Sequence, residues 1–325
     1  MNQVSELTQR VAEVANPWRR LFAFVLDGIF LGLLGAVLGL IAFDRLVALG
    51  DWGRAVGFAI ALVYFGVMDS KLSDGQTLGK QILGIRVVAT DGAPLNIGAS
   101  TLRAAIFCIP YFLNGVFVDP GATLSRLIVF LVFGVGISIG YLLLFNRRTR
   151  QSLHDLAVGA HVVNSRHTGP IGVTGRIWPV HLGVVGLILA TALALPSFTQ
   201  WLEGSPPFSA LSSIQQGLQN EPGVWRASVS MGVTRALRTG HGATTTHVCS
   251  ASIFFSAPIV NSGPLADRAV RIMLDRDPSI AKLDEIAVTI VYGYDIGIAS
   301  AWRSKVFGRS PRQWQQRISA PTTPL

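Results

Sequence analysis

The run Leu21–Phe43 contains a single charged residue, Asp27. Coiled as a helix, it rises about 34 Å at 1.5 Å per residue, enough to cross a hydrocarbon core of roughly 30 Å. This limits the N-terminal half of the chain to a bilayer-spanning or fully enclosed helix. Asp27 adds a second constraint. A carboxylate at that depth costs about 2.5–3.5 kcal/mol on insertion scales and calls for partners on neighbouring helices. Arg20 lies two turns before it on the same helical face.

Composition agrees with a membrane class. Of the 325 residues, 50% are hydrophobic and only 14% charged, and the mean hydropathy is +0.47. The formal net charge is +9. The arginines are scattered and form no stripe interleaved with aromatics, which argues against nucleic-acid binding. The mixed residues before Leu21 and the absence of a small-residue cleavage site argue against a cleavable signal.

Five spans are expected, near 21–43, 53–68, 104–118, 127–145 and 178–196. The third is interrupted by Pro110 and Asn114, and the fifth is expected to end at Pro196. Basic residues crowd the segments before span one (Arg19, Arg20), between spans two and three (Lys71, Lys80, Arg86, Arg103) and between spans four and five (Arg147, Arg148, Arg150, Arg166, Arg176). By the positive-inside rule the N-terminal segment 1–18 is cytoplasmic in an inner membrane, and an odd span count puts the C-terminal domain in the periplasm. Gly28, Gly32, Gly35 and Gly39 have small-xxx-small spacing, expected to pack span one against other spans.

The chain changes character after Phe198. Pro206-Pro207 marks a linker, and 205–310 reads as a small α+β domain of order αββαβ, followed by a flexible tail, 311–325. Ala210–Leu218 and Pro264–Arg276 are helical, the second with an Asp267/Arg271 pair at i,i+4. Val224–Val233 alternates, with Trp225, Ala227, Val229, Met231 and Val233 on one face. Thr246–Ala257 alternates too, with Cys249 on its apolar face. Every even position from Ile286 to Ile298 is apolar. The whole is thus a mainly α-helical integral membrane domain of about five helices with a small α+β domain attached.

Catalytic signatures are weak. Gly75–Lys80 (GQTLGK) has three residues between its glycines, and Gln81 where a phosphate loop needs Ser or Thr. It reads better as an interfacial segment with Leu78, Ile82 and Ile85 on the membrane and Lys80 and Arg86 on lipid phosphates. His154-Asp155 lacks a marked nucleophile, so Asp155 is expected to bridge to Arg20 or another arginine. The two cysteines, Cys108 and Cys249, form no CxxC, and His241 and His247 lack a third ligand. No enzyme, metal or cofactor is expected.

Three blocks together resemble the RDD family of membrane proteins, named for one arginine and two aspartates. They are Arg20–Asp27; Gly75–Lys80 continuing through Arg86 to Asp91-Gly92, with Arg103; and Arg150–Asp155 continuing to His161. The likeness covers about residues 14–165, within a membrane region of 19–165, and implies that Arg20, Asp27 and Asp155 are the name-giving triad. Lys80, Arg86, Arg103 and His154 would support it. The family implication is a helical membrane domain often linked to transport, with no substrate supplied. Two functions fit the chain. One is ion or small-solute binding or transport by intramembrane Asp and Arg groups, in a homo-oligomer because five short spans make a thin pathway. The other is a membrane-anchored scaffold whose C-terminal domain binds a protein or envelope partner.

Overall fold

The computed structural model describes residues 14–116, 123–171, 176–206, 208–238, 241–256 and 262–319. They fall into two compact units. The first holds the described residues up to Leu38, Arg54–Phe198 and the short piece Ile296–Ala299. The second holds Gly39–Gly53, Thr199–Asp295 and the described residues from Ser300.

The first unit is helical. Its elements are the leading part of α1 (Pro17–Ala48), α2 (Gly53–Met68), α3 (Leu78–Ile82), α4 (Ile97–Leu113), α5 (Thr123–Val129), α6 (Gly136–Phe145), α7 (Leu153–Val158) and most of α8 (Pro179–Glu203). A π-helical turn, Phe130–Val135, joins α5 to α6. Among the described residues, four stretches are long and apolar enough to cross a bilayer: Pro17–Ala48, Gly50–Met68, Thr123–Phe145 and Pro179–Leu202.

The remaining expected span needs correction. Its helix is α4, which has 17 residues and starts at Ile97, earlier than the expected 104. Asn96 sets that start by accepting the Ala99 N–H at 2.8 Å. The shift draws Arg103, counted above among loop cations, into the helix, where it is buried. Pro196 also fails to end α8, which continues to Glu203. A proline inside an apolar helix removes one donor without stopping the run.

A two-stranded antiparallel sheet ties distant parts of this unit together. β1 (Ile85–Val88) pairs with β2 (His161–Asn164), with Val87 opposite Val162. Ile85, Val87, Val162 and Ala23 share one buried cluster. Ile85 is therefore core, whereas Leu78 and Ile82, its expected partners on the membrane surface, are exposed.

The glycines of α1 do not serve as expected. A Cβ at Gly28 would meet nothing within 4 Å. One at Gly35 would lie 2.7 Å from the Ala299 side chain, and one at Gly39 would run into the Tyr294 ring. Among the described residues, these close approaches are made to residues from the C-terminal half of the chain.

The second unit is an α+β body. α9 (Phe208–Gln219), β3 (Val224–Arg238), β4 (His241–Phe255), α10 (Ser262–Arg276), β5 (Glu285–Asp295), β6 (Ser300–Arg309) and α11 (Pro311–Ser319) follow in order. The sheet order is β3-β4-β5-β6, with β4 and β5 parallel and the other pairs antiparallel. Parallel neighbours need a crossover, and α10 supplies it. Ile286, Val288 and Ile290 of β5 pack with Ile214 and Leu218 of α9 and Val270 and Met273 of α10. Cys249 is buried in the same core. Met231 and Val233 are exposed, against the alternation read for β3. β5 pairs with β4 only from Val248, the residue opposite Gly232, so at Val233 and beyond the β3–β4 ribbon has no third strand among the described residues.

The order is therefore αββαββα, two elements more than expected. α11 falls where a flexible tail was expected. Its Trp314 is fully buried, and the indole N–H donates to the Ile286 carbonyl at 2.9 Å. Asp267, expected to pair with Arg271, accepts from Arg317 of α11 at 2.5 Å.

Candidate functional site

Five charged side chains from five segments form one continuous buried chain in the first unit. Arg20 of α1 donates to Asp155 of α7 at 2.5 Å. Arg103 of α4 donates to Asp155 at 2.9 Å and, through another nitrogen, to Asp69 at 2.7 Å. Lys80 of α3 closes the chain on the other oxygen of Asp69. The five are at most 8% exposed. Alternating charge compensates the three inner ions, Asp155, Arg103 and Asp69, from two sides and the two end cations from one, and buried ions require such pairing.

Local structure fixes each group. Asp155 is the third residue of α7, and its carboxylate reaches back to the Ser152 N–H at 3.1 Å, so one side chain both caps a helix and binds two arginines. Asp69 directly follows α2 and is 1% exposed. Burial by itself would raise the Asp155 carboxyl, but the Arg20 and Arg103 guanidiniums outweigh it and hold the group well below the usual carboxylate range. For Lys80 burial wins over Asp69, and its ammonium is pulled below the ordinary lysine range.

Asp27 is 1% exposed, and all its partners are neutral. It accepts from the Tyr64 hydroxyl, the Thr77 hydroxyl and the Gly79 N–H, each at 2.7 Å. Among the described residues it makes no ion pair. The expected Arg20 counter-charge is taken by Asp155. Thr77 also caps α3 through the Lys80 N–H at 3.3 Å. Gly79 permits the approach, because a Cβ there would collide with the Ala23 carbonyl and come within 3.0 Å of Asp27.

Two expected lipid contacts are corrected. Lys80 faces Asp69 inside the protein. Arg86 pairs with Asp74 at 2.9 Å and donates to the His167 carbonyl at 2.8 Å. Asp69, Tyr64 and Thr77 were missed by sequence reasoning. The available signal was the acid placed directly after span two.

A cavity of about 380 Å³ abuts this network. Arg20, Asp27, Asp69, Lys80, Arg103 and His154 are among its polar lining residues. Phe24 and Phe65, stacked with centroids 6.2 Å apart, and Phe107, edge-on to both, form part of its apolar wall. Val132 of the π turn and Ile139 of α6 line it as well. His154 Nε2 lies 3.4 Å from Asp155. Burial, with the three nearby cations, pushes this imidazole down to about 3 against the pull of Asp155. The ring is neutral at physiological pH.

Residues 14–159 match the profile of the RDD family. The chain carries an RDD family domain. Arg20, Asp27 and Asp155, the triad that the resemblance implies, are all buried, Arg20 and Asp155 as a direct pair and Asp27 in a separate cradle. The RDD domain is similar to a Bacillus subtilis (strain 168) protein, "Uncharacterized protein YckC", at 24% identity over 148 residues, covering 46% of this chain and 83% of the relative. No solved structure matches. The family match ends before α8 and the C-terminal unit.

Proposed function

We propose that the RDD domain binds a small uncharged solute in its cavity, within an inner membrane, and passes it across. The carrying observation is that every carboxylate oxygen in the site is already engaged. Asp27 takes three donors, Asp69 takes Lys80 and Arg103, and Asp155 takes Arg20, Arg103 and the Ser152 N–H. A bare cation would have to break this set, whereas a neutral solute need not. An apolar cavity with a few convergent polar groups is the usual form of a small-molecule site, and ionisable groups at membrane depth mark such pathways.

Orientation follows from the exposed cations. With Lys80 and Arg103 removed from the count, Lys71, Arg147, Arg148, Arg166 and Arg176 are exposed, which by the positive-inside rule supports a cytoplasmic N-terminus. A homo-oligomer supplies the wall that so few spans leave open.

The test is native mass spectrometry of the full chain released from its own membranes. The wild type is expected to carry a bound small molecule that Ile139→Trp, which fills the cavity, loses. Identical spectra overturn the proposal. Sodium or proton flux in proteoliposomes that Asp27→Asn abolishes favours the ion reading instead.

A second reading rests on the C-terminal unit, whose core draws on α9, α10, α11 and three strands and is larger than a cap needs. Under this reading the membrane domain anchors a body that binds an envelope protein. Cross-linking in intact cells tests it: a partner captured by the full chain and not by a chain ending at Phe198 supports it.

A further inference from the structure

Residues Ile296–Ala299 join β5 to β6 along the chain, yet they cluster with the helices of the first unit. They form a tight turn. The Ile296 N–H donates to the Ala299 carbonyl at 3.0 Å, and Gly297 takes the left-handed conformation at φ +77°. Three helices seat the turn. On α1, a Cβ at Gly35 would lie 2.7 Å from the Ala299 side chain and 3.0 Å from that of Ile298. On α2, a Cβ at Gly57 would collide with the Ile296 carbonyl. On α4, the Tyr111 hydroxyl donates to the Gly297 carbonyl at 3.0 Å, and a Cβ at Gly297 would come within 2.6 Å of the Phe112 ring. Ile296 is fully buried. Non-helical backbone at membrane depth is tolerated only where protein or a cavity encloses it, and the two helix glycines open a socket that does so.

The socket lies away from the charge network. Gly35 follows Arg20 by 15 residues, Gly57 precedes Asp69 by 12 and Phe112 follows Arg103 by 9. Along helices at 1.5 Å per residue these are offsets of roughly 14–22 Å, all toward the same end of the unit. A second cavity, of about 90 Å³, lies at this end. It shares Phe24, Phe65, Phe107 and Tyr111 with the larger cavity, so one aromatic wall stands between the two. Its other lining includes Cys108 and Ile298. Among the described residues, Ile298 is the one lining group that no helix supplies.

We infer that the turn Ile296–Ala299 is a plug, with Ile298 as its stopper, that seals the second cavity from water at the end remote from the charge network. This rests on the passage reading above: a solute crossing from the first cavity through the second leaves only when the turn withdraws.

The test reads the native thiol of Cys108, 2% exposed beside the stopper, in the full chain in cell membranes. A membrane-impermeant cationic methanethiosulfonate is applied to spheroplasts and, separately, to inverted vesicles. Peptide mapping separates Cys108 from Cys249. The wild-type Cys108 is expected to stay unmodified from both sides. Ile298→Gly should raise its modification rate roughly 10-fold or more from one side only, the opening gained when a buried aliphatic side chain is lost. Gly57→Ala, which drives a methyl into the Ile296 carbonyl, should act in the same direction, and Ile298→Val should keep the wild-type rate. Equal protection of Cys108 in the wild type and both opening variants overturns the plug. So does modification at equal rates from both sides, the mark of a loosened fold. Swelling of proteoliposomes in glycerol then separates the two readings. Faster glycerol entry through Ile298→Gly that Ile139→Trp cancels supports both. One-sided exposure of Cys108 with unchanged glycerol entry supports the plug and counts against passage of a neutral solute.

Discussion

Arg20 and Asp155 meet at 2.5 Å across a separation of 135 residues, both buried, and Arg103 shares the same carboxylate. Removing one member of a buried ionic set strands the others. Asp155→Asn is expected to cost about 3–5 kcal/mol. Thermal unfolding of the detergent-solubilised full chain checks this, and a loss under 1 kcal/mol counts against a load shared by both arginines.

Asp69 and Asp27 are equally buried acids with different partners, and they should respond differently. Asp69→Asn leaves Lys80 and Arg103 charged and undercompensated, at about 3–5 kcal/mol. Asp27→Asn disturbs bonds from two hydroxyls and one amide, at about 1–3 kcal/mol. Melting both variants in one detergent ranks them, and the opposite order would refute the division between an ionic chain and a neutral cradle.

Acid should loosen the RDD domain before it reaches the carboxylate range. The His154 imidazole, pushed to about 3 chiefly by burial, stays neutral in the folded state while the unfolded chain takes up a proton near the ordinary histidine value of about 6.5. Between those two values the unfolded state binds more protons, so stability falls as pH falls, by up to about 1.4 kcal/mol per pH unit. Asp155, held low in the fold, adds a loss of the same sign below its ordinary range. Melting temperatures measured from pH 7 to 4 should drop in the wild type and less steeply in His154→Gln, where His161, also pushed down by burial, still contributes.

Gly79→Ala tests the close approach of α3 to α1. The added methyl would collide with the Ala23 carbonyl beside Asp27, and overpacking of this kind costs typically about 1–3 kcal/mol. Gly28→Ala, with open space around it, serves as the silent control in the same melts.

Trp314 anchors the end of the second unit. Trp314→Ala removes a fully buried indole and its bond to Ile286, at about 3–5 kcal/mol. Limited proteolysis should then cut the C-terminal unit while leaving the RDD domain intact.

What could be read in advance follows the range of the interaction. The run around Asp27 and the alternation of β5 are local patterns, legible in a single segment. α11 also had a local signal, the Ser310-Pro311-Arg312-Gln313 cap, with Gln313 returning a bond to the Ser310 N–H at 3.1 Å, but its polar composition masked it. β6 was hidden because Trp302 and Val306 share one face with Ser304, while Arg303 and Lys305 share the other with Phe307, so neither face is cleanly apolar. The charge network was the least legible part. Lys80 and Arg103 look like loop cations until the chain closes and brings Asp69 between them. Nothing within ten residues of Asp69 announces that pairing.

The wide sequence spacing of the Arg20–Asp155 pair has a consequence for biogenesis. At a synthesis rate of about 5–20 residues per second, the ribosome needs roughly 7–27 s to deliver the acid after the arginine. Throughout that interval the nascent first helix has no anionic mate, so the insertion machinery has to hold it at the aqueous boundary until translation of α7 releases it inward.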